Sequence, residues 1–530
     1  MIRTRRFLSA LILMATVAAC QQADVEQPSV AVDAGTTPAA ATAVANQPGR
    51  DNPARILFET NCATCHGADL SGGRAPSLFS QRFLVDRTDT QIQQVVMQGI
   101  EQVGMPPFTG ILSESEIWML VTFIRNEAAS LAERPMFVTA PDNFVVHSQK
   151  QTFRIEVLAT GLEVPWATAF LPDGRILVTE RPGRLRVLQD GQLLSEPVAG
   201  TPAVQVGQDA GMFDIALHPD YDDNGWIYLS YAETLPGYDG PELKPDEPGV
   251  RRTSYAPSMT VIIRGKITAD NEWVETQELF RPAPELYTGR GEHFGSRFAF
   301  DDNGHLFYSI GDRGDMATAQ DLSSPLGKIH RINDDGTVPA DNPFVAVHGA
   351  LPTIWSYGHR NPQGMAFDPH TGLLWESEHG PAGGDEINII EPGKNYGWGV
   401  ISMGLQRGIT LTSAPGMEQP IVYYTPSIAP SRISFYTGDR YSGWDRSLFV
   451  AALGGQQLRR LEIDGRKVVA QEELFSQFGR TRAATVGPDG LFYVLLQNPT
   501  GSGTGLRLSA PTPGILVRLV PMDEETARVN

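Results

Sequence analysis

The sequence predicts a mainly β protein, a six-bladed β-propeller preceded by a small all-α domain. Two observations lead to this prediction. One phrase, an apolar strand, a Pro-Asp-Gly-like turn and a second apolar strand, recurs six times after residue 153. Residues 52–132 show helical periodicity instead. A pair of β-sandwiches is the alternative arrangement for the strands.

The first segment, residues 1–19, is typical of an export signal. Three arginines precede an apolar run of about 13 residues, too short to cross ~30 Å of hydrocarbon at ~1.5 Å per residue. The run ends in VAAC, which resembles a bacterial lipobox and implies lipid attachment to Cys20. An ordinary signal peptide with a chance cysteine is the alternative. We therefore expect a periplasmic lipoprotein of the bacterial cell envelope.

Residues 20–51 are rich in Ala, Thr, Pro and Val and lack a periodic apolar face, which predicts a flexible linker. The chain carries a formal net charge of −19, which argues against a nucleic-acid partner. We expect membrane contact only through the lipid anchor. Of the three cysteines, none remains for a disulfide once Cys20, Cys62 and Cys65 are assigned.

The small domain, residues 52–132, is predicted to contain three helices. Proline follows an N-cap residue at Asn52, so the first helix starts there and runs toward Cys62. The second helix is DTQIQQVVMQGI, whose apolar residues recur at helical spacing. The third starts at SESE, where Ser113 and Glu116 can form a capping box.

The stretch NCATCHGADL contains C-x-x-C-H, the pattern of covalent haem attachment. Cys62 and Cys65 are one helical turn apart, as two thioether links require, and His66 is the expected axial ligand. Met105, in the proline-rich loop GMPPF, is the expected second axial ligand. Zinc, the alternative, lacks a second cysteine pair here. The segment from Asn52 to Ala132 resembles class I c-type cytochromes, which implies haem c.

Two other methionines compete with Met105 for the iron. Met97 and Met119 both fall within helical patterns, so we expect them in the hydrophobic core of the domain.

A linker at 133–152 leads to the repeats, which occupy 153–521; residues 522–530 form a tail. The repeats are WATAFLPDGRILVTE, DIALHPDYDDNGWIYLSYA, RFAFDDNGHLFYSIGD, GMAFDPHTGLLWESEHG, ISFYTGDRYSGWDRSLFVAAL and AATVGPDGLFYVLLQ. Asp-Gly and Asn-Gly between alternating strands indicate hairpins. Six such units predict six blades. The final GILVRLV is expected to close the ring with the first blade.

Polar residues gather in the loops between these strands. They lie in GRGEHFGSR, GDRGD, YGHRNPQG, EHGPAGGDE and GRTR. Loops at one end of a propeller converge on its axis, so we expect residues distant in sequence to meet there.

Three stretches, YGHRNPQGMAFDP, EHGPAGGDEINII and KNYGWG, in this order and spacing, resemble the soluble aldose and glucose dehydrogenases that use pyrroloquinoline quinone (PQQ). The similarity runs from Phe153 to Val520. It implies oxidation of aldose sugars at C1 with PQQ and calcium as cofactors.

The resemblance also implies a cofactor site. Arg480 and Arg482 match the family's PQQ-binding arginines, and Asp385 lies near the cofactor. The carbonyls of Gly380 and Pro381 match ligands of a calcium ion at PQQ. A second, structural calcium position is matched by the residues Glu386 and Tyr396.

The implied catalytic groups surround a histidine. His293 matches the family's general base, Asp312 its orienting carboxylate, and Arg360 the cation beside the PQQ carbonyl. Asn361 matches a neighbouring polar contact, and Gln208 a further active-site residue in a loop that is one residue longer here. His359, next to Arg360 in the sequence, is expected to be a structural loop histidine.

This chain departs from soluble glucose dehydrogenases at three points, which leaves sugar preference open. Gly454 or Gly455 stands where they have a PQQ-contacting lysine, and His379 where they have a glutamine. Their aromatic over the sugar is replaced near Thr425, with Tyr423 and Tyr424 as candidate substitutes.

A haem takes one electron at a time, whereas sugar oxidation yields two. The fused cytochrome is therefore expected to accept electrons from PQQ in two steps and pass them to a downstream respiratory acceptor. Two other functions remain as alternatives: a propeller lactonase-like metal hydrolase and a non-catalytic binding propeller tethered to a cytochrome.

Overall fold

The computed structural model describes residues 53–66, 70, 75, 78, 89–100, 104–133, 141–240, 255–381, 383–404, 406, 408–424, 427–454, 456–475, 478–497 and 514–522. The predicted export signal, Cys20, the linker to residue 51 and the tail beyond Met522 lie outside these residues, as do Thr425 and Gly455. Within the described part of the chain, no helix is long and apolar enough to cross a membrane.

The N-terminal domain is helical, as predicted. Its described helices are α1 (Pro53–Asn61), α2 (Ala63–His66), α3 (Asp89–Gln98) and α4 (Glu114–Glu133). The predicted capping box starts α4: the Ser113 amide donates to Glu116 Oε2 at 2.7 Å, and the Glu116 amide donates to Ser113 Oγ at 3.3 Å. Phe58 and Leu120 are fully buried where α1 packs on α4.

The two competing methionines differ in burial. Met97 packs against a small apolar cluster, as expected. The expectation that Met119 is a core residue is wrong, because its side chain is 39% exposed on α4.

The described part of the chain from residue 141 onward forms six antiparallel sheets. Strands β1 (Val145–His147) and β2 (Thr152–Leu162) come first. The first three blades, from inner to outer strand, are β3 (Pro165–Phe170), β4 (Ile176–Glu180), β5 (Arg184–Gln189) and β6 (Gln192–Leu193); β7 (Met212–Leu217), β8 (Ile227–Thr234), β9 (Ser258–Ile267) and β10 (Trp273–Phe280); and β11 (Phe298–Phe300), β12 (Leu306–Ile310), β13 (Lys328–Ile332) and β14 (Ile354–Tyr357).

The last three blades are β15 (Pro362–Phe367), β16 (Leu374–Glu378), β17 (Asp385–Ile390) and β18 (Val422–Tyr424); β19 (Pro430–Phe435), β20 (Ser447–Ala452), β21 (Gln457–Asp464) and β22 (Lys467–Phe475); and β23 (Arg480–Val486), β24 (Phe492–Gln497) and β25 (Gly514–Pro521), with β2 and β1 outermost. The short helices α5 (Tyr221–Asn224), Pro284–Leu286 and Met316–Gln320, the last two of 3₁₀ type, lie in loops.

The inner strands contact one another in a closed ring, β3 to β7, β11, β15, β19, β23 and back to β3. This confirms the six-bladed propeller and rules out a pair of sandwiches. Each of the six repeated phrases forms the first hairpin of one blade. Their turns need glycine where the backbone is left-handed, as at Gly174 with φ of 90°.

The ring closes at the sixth blade. The sequence predicted that β25 would close the ring by pairing with a strand of the first blade. This is wrong, because β25 pairs with β2, the N-terminal strand that lies in the sixth blade. Ile155 lies opposite Leu519, both fully buried. The two ends of the domain therefore share one sheet, which protects edges that would otherwise be open.

Five inner strands carry a register shift near their first residues. A bulge of this kind re-aims a side chain. Side chains at these shifts meet across blades: Arg482 Nη1 donates to Gln363 Oε1 at 3.2 Å, and Arg432 Nη1 to Asp214 Oδ1 at 3.1 Å. Arg432 and Asp214 belong to opposite blades, so these groups lie at the propeller axis.

Candidate active site

The predicted site residues of the propeller lie at one end of the blades. In an antiparallel sheet, the start of the first strand and the end of the second are at the same end. His293 precedes β11 and Asp312 follows β12; Arg360 precedes β15 and Gly380 follows β16; Arg480 begins β23. The topology therefore brings together residues from three blades that are far apart in the sequence.

His293 and Asp312 form a hydrogen-bonded pair. His293 Nδ1 lies 2.6 Å from Asp312 Oδ1, which also accepts the Gly314 amide at 2.7 Å. Burial raises the pKa of Asp312, but His293, Arg360 and the Gly314 amide outweigh it, so the pKa is lowered. An ionised Asp312 accepts from Nδ1–H, which leaves the Nε2 lone pair of His293 free to take a proton.

The backbone around His293 is under strain. His293 has φ of 56°, in the left-handed region that costs a residue with a side chain about 1–3 kcal/mol. A Cβ at Gly311 would lie 2.2 Å from the His293 carbonyl oxygen, so the loop can sit there only against glycine. The buried Arg313 guanidinium donates to the carbonyls of Glu292 and Arg290 and so fixes the loop that precedes His293.

Arg360 lies beside this pair. The Asp312 amide donates to the Arg360 carbonyl at 2.8 Å, and Arg360 Nη1 donates to the His379 carbonyl at 2.9 Å. Its guanidinium lies 5.3 Å from the centre of the Trp398 ring. Arg360 Nε is buried, and no described residue hydrogen-bonds to it. A guanidinium N–H here is available to a ligand.

Arg480 and Arg482 also have buried Nε atoms without a described partner. Arg482 Nη1 donates to Gln363 Oε1 and to Ser431 Oγ, at 3.2 and 3.3 Å. Burial lowers the pKa of Arg480 to about 10, and burial and then the Arg480 charge lower that of Arg482. Two guanidinium groups on one strand, each with an unpartnered buried N–H, favour a bound anion.

Gln208 and Asn361 line the same loops. Gln208, with φ of 46°, has Nε2 3.5 Å from Glu292 Oε2, while its Oε1 is buried and unpartnered. Asn361 Oδ1 accepts the Gly295 amide at 3.1 Å, so this oxygen supports the loop after His293. The Asn361 amide nitrogen is the atom it can offer to a ligand.

Asp385 binds its own chain. It accepts the Gly380 amide at 2.9 Å and, at 2.7 Å each, the Ser427 hydroxyl and the amides of Ile428 and Ala429. It thereby fixes the Gly380–Pro381 turn, the predicted calcium loop. Burial raises the pKa of Asp385, an effect that these four donors oppose.

A cluster of buried carboxylates lies directly below this turn. Glu376 and Glu378 on β16 face Asn388 and Glu386 on β17 as cross-strand pairs. Burial, then the Glu378 charge, raises the pKa of Glu376 well above its usual range and that of Glu386 to about 8. Glu376 Oε1 and Asn388 Oδ1 are buried without partners. Carboxylate and amide oxygens of this kind are what calcium prefers.

His359 completes the cluster but does not serve as a free ligand. Its Nε2 lies 2.9 Å from Ser356 Oγ and its Nδ1 3.2 Å from Glu378 Oε1. It is structural, as expected. The Tyr396 hydroxyl already donates to the Ile389 carbonyl. The oxygen that Tyr396 can offer to a cation is therefore its own main-chain carbonyl.

A small, partly open cavity lies among these groups. It is lined by Arg360, Glu378, His379, Gly380, Pro381, Gly384, Glu386, Tyr396, Trp398, Ile401 and Ser402. Arg360 and the Gly380–Pro381 turn thus line one space.

The cytochrome motif has the expected backbone. The amides of Cys65 and His66 both donate to the Cys62 carbonyl, at 3.1 and 2.9 Å, so the two cysteines are one helical turn apart. Burial, then the charge of Cys65, raises the pKa of Cys62 to about 11. Met105 lies in a turn closed by reciprocal bonds with Ile100.

Residues 162–507 match a family model described as glucose/sorbosone dehydrogenase. The chain belongs to the glucose/sorbosone dehydrogenase family. A second family model, described as cytochrome c oxidase, cbb3-type, subunit III, matches residues 49–124, which identifies the helical domain as a cytochrome c domain.

Several members of the glucose/sorbosone dehydrogenase family resemble this chain. The aldose sugar dehydrogenase of Escherichia coli is 39% identical over 359 residues, which cover 66% of this chain and 91% of that protein. The apo crystal structure of the soluble E. coli enzyme aligns at 36% identity and a TM-score of 0.60, over 70% of this chain and all of that one. The PQQ-bound aldose sugar dehydrogenase of Streptomyces coelicolor aligns at 27% identity and 0.54, over 70% and 98%.

The residues present fit PQQ, which carries three carboxylates. The fit rests on buried atoms that no described residue satisfies: Nε of Arg360, Arg480 and Arg482, Nε2 of His379 and Oε1 of Gln208. Burial lowers the pKa of His379 well below its usual range, with Arg360 adding to the effect. A neutral imidazole and three guanidinium groups suit a polyanion with ring carbonyls.

Sequence reasoning missed several members of the site. His379 was noted only as a departure, and Glu376, Glu378 and Trp398 were given no role. The signal for the glutamates was available, since Glu376 and Glu378 alternate on one strand and so share a face. Tyr424 was a candidate to lie over the sugar, but its hydroxyl donates to Gln471 on the next blade.

Proposed function

We propose that this protein oxidises an aldose sugar at C1 to the lactone with PQQ and passes the electrons to a haem c on its own N-terminal domain. The single observation that carries the proposal is the His293–Asp312 pair at 2.6 Å beside Arg360. A base, a cation and unpartnered buried guanidinium groups meet at one mouth of a propeller whose family comprises sugar dehydrogenases.

His293 is the general base of this reaction. With Nδ1–H donated to Asp312, the Nε2 atom takes the proton of the sugar's C1 hydroxyl as the C1 hydride leaves. Asp312 stabilises the imidazolium that results, because its carboxylate stays ionised. Trapping the proton at His293 makes the hydride transfer from C1 favourable.

Arg360 acts on the accepting side. Its buried Nε–H can donate to an oxygen on which negative charge develops, and in a buried site such a donor counts for more than in water. When bound, PQQ supplies a quinone that accepts the hydride. Arg480 and Arg482 would hold its carboxylates, and Gln208, Asn361 and Asp385 complete or order the site.

Calcium would occupy two positions. The carbonyls of Gly380 and Pro381 would hold one ion at the cofactor, on a turn that Asp385 fixes from behind. Glu386 and the Tyr396 carbonyl would hold a second ion, with the unpartnered Oε1 of Glu376 as a further oxygen. Burial, and then the Glu378 charge, raises the pKa of Glu386, and a cation bound here would offset both effects.

The cytochrome domain would carry the electrons away. Cys62 and Cys65 would hold haem c covalently, with His66 and Met105 as axial ligands, and a thioether ligand raises the reduction potential. A downstream respiratory acceptor would take the electrons in turn. Lipid attached to Cys20 would hold the protein at the periplasmic face of a membrane, with residues 20–51 as tether.

The test is reduction of the haem by sugar. The exported, haem-loaded protein is reconstituted with PQQ and calcium under anaerobic conditions and mixed with a panel of aldoses. The haem α-band is expected to rise with at least one sugar and to stay flat without PQQ. His293→Gln is the matched control, since it should abolish the sugar response while dithionite still reduces the haem.

Three outcomes contradict the proposal. A flat α-band with every aldose removes internal electron transfer. Cleavage of lactones without haem reduction would favour the hydrolase, and failure to bind PQQ would favour the binding propeller.

A further inference from the structure

Trp398 contacts both Asp312 and Arg360. Its indole Nε1–H donates to Asp312 Oδ2 at 2.6 Å, on the carboxylate oxygen that His293 does not use. The Arg360 guanidinium lies 5.3 Å from the centre of its ring. Trp398 is buried and lines the cavity.

The local sequence is built to place this ring. Trp398 stands between two glycines with positive φ, Gly397 at 87° and Gly399 at 95°. A Cβ at Gly397 would lie 2.2 Å from Ile401 Cγ1, and one at Gly399 would lie 2.7 Å from the Met316 carbonyl oxygen. Other residues are therefore excluded on both sides of the tryptophan.

The main chain of Trp398 is also fixed. Its amide donates to the Gly358 carbonyl and its carbonyl accepts from Gln320 Nε2, each at 2.8 Å. The indole is thus held independently of Asp312.

Packing alone does not explain the hydrogen bond. The indole N–H groups of Trp355, Trp375 and Trp444 are buried within the described structure without a partner, so a packed tryptophan in this propeller does not need one. The indole of Trp398, by contrast, reaches the one carboxylate that orients the base. An N–H bond to an ionised group is among the strong hydrogen bonds of proteins.

We propose that Trp398 is a positioning residue that clamps Asp312, so that the carboxylate presents Oδ1 to His293 and holds the imidazole in the Nδ1–H form. Asp312 is then fixed from both sides, by the Gly314 amide at Oδ1 and by the indole at Oδ2. Without the indole, the carboxylate can rotate and release the imidazole. This inference rests on the proposed sugar oxidation.

The first experiment compares Trp398→Phe with Trp355→Phe, which makes the same substitution at an indole that donates to nothing described. In Trp398→Phe the kcat for sugar is expected to fall about 10–100-fold, as for loss of a hydrogen bond to a charged group, with KM nearly unchanged. Trp355→Phe is expected to change neither. A kcat for Trp398→Phe within twofold of the wild type would overturn the proposal.

A double-mutant cycle separates positioning from general support. Because Trp398 acts through Asp312, Trp398→Phe in the Asp312→Asn background is expected to cost less than twofold further. Full additivity of the two losses would show that Trp398 acts elsewhere.

A second readout needs neither sugar nor PQQ. In protein labelled with ¹⁵N-histidine, the His293 ring, assigned from His293→Gln, is expected to show a protonated Nδ1 that is lost in Trp398→Phe. If Trp398→Phe does not fold, one of the eight indole N–H signals is expected to move in Asp312→Asn. An unchanged His293 tautomer, or eight unmoved indole signals, contradicts the clamp even where sugar oxidation is established.

Discussion

Replacing Asp312 by asparagine is the sharpest test of the base. Asp312 Oδ1 accepts from His293 and Gly314, and Oδ2 accepts from Trp398. Asparagine has one acceptor oxygen and one donor amide. If its oxygen faces His293, its amide faces the indole N–H, donor against donor. If the amide is turned to His293 instead, Nδ1 must accept, and Nε2 then carries the proton and cannot serve as base.

The expected magnitude follows from this choice. Losing one hydrogen bond to a charged group costs about 1.5–3 kcal/mol, which is roughly 10–150-fold in rate. Losing a correctly protonated general base costs about 10²–10⁴-fold. Because neither orientation of the amide satisfies both partners, we expect kcat to fall by about 10²–10⁴-fold.

The assay is stopped-flow reduction of the haem by sugar in the PQQ-loaded protein. The affinity for PQQ, measured by titration, is expected to be unchanged. The residues proposed to hold PQQ are Arg360, Arg480 and Arg482, and Asp312 is not one of them. A fall in kcat smaller than tenfold would refute the reasoning about the His293 tautomer. A fall caused by lost PQQ would show as weaker binding instead.

Further predictions concern the cofactors and pH. Arg480→Met is expected to weaken PQQ binding about 10–100-fold, as measured by titration. The thermal midpoint of the cofactor-free variant is expected to be unchanged or higher, because the substitution removes a buried, unpartnered N–H. A lower midpoint would contradict this reasoning. Met105→Ala is expected to keep covalent haem but lower its potential in a redox titration, and an unchanged potential would exclude Met105 as ligand. Calcium at 100 times its Kd for the wild type is expected to stabilise the wild-type protein by about 2.7 kcal/mol, as measured by thermal unfolding with and without chelator. The same calcium concentration is expected to stabilise Glu386→Gln less. The pKa of Asp312 is lower in the folded than in the unfolded protein, so its ionised carboxylate stabilises the fold fully above the unfolded-state pKa. This stabilisation is lost as the pH falls through the folded-state pKa. The stability of Asp312→Asn, measured by acid unfolding, is therefore expected to depend less steeply on pH.

The sequence was sufficient for the fold because each blade repeats the same local pattern. Alternating apolar residues around Asp-Gly or Asn-Gly turns determine the first hairpin of every blade, and six such hairpins determine the number of blades. The helices of the cytochrome domain are likewise local, and the Ser113–Glu116 box was readable directly.

The sequence did not predict which strand pairs with β25. The apolar residues of β25 suit an interior position in any blade, and the structure places the strand between β24 and β2. The choice depends on where β2 lies, which is a property of the whole ring.

The sequence by itself determined which residue types are present at the mouth of the propeller, through motifs such as GEHFG, GHRNPQG and GRTR. Only the tertiary structure decided their partners. The Trp398 indole on Asp312 and the Ile428 and Ala429 amides on Asp385 each join loops of different blades whose contact no local pattern encodes. Hydrogen-bond partners are set by distances of about 3 Å, and across blades those distances exist only once the ring has closed.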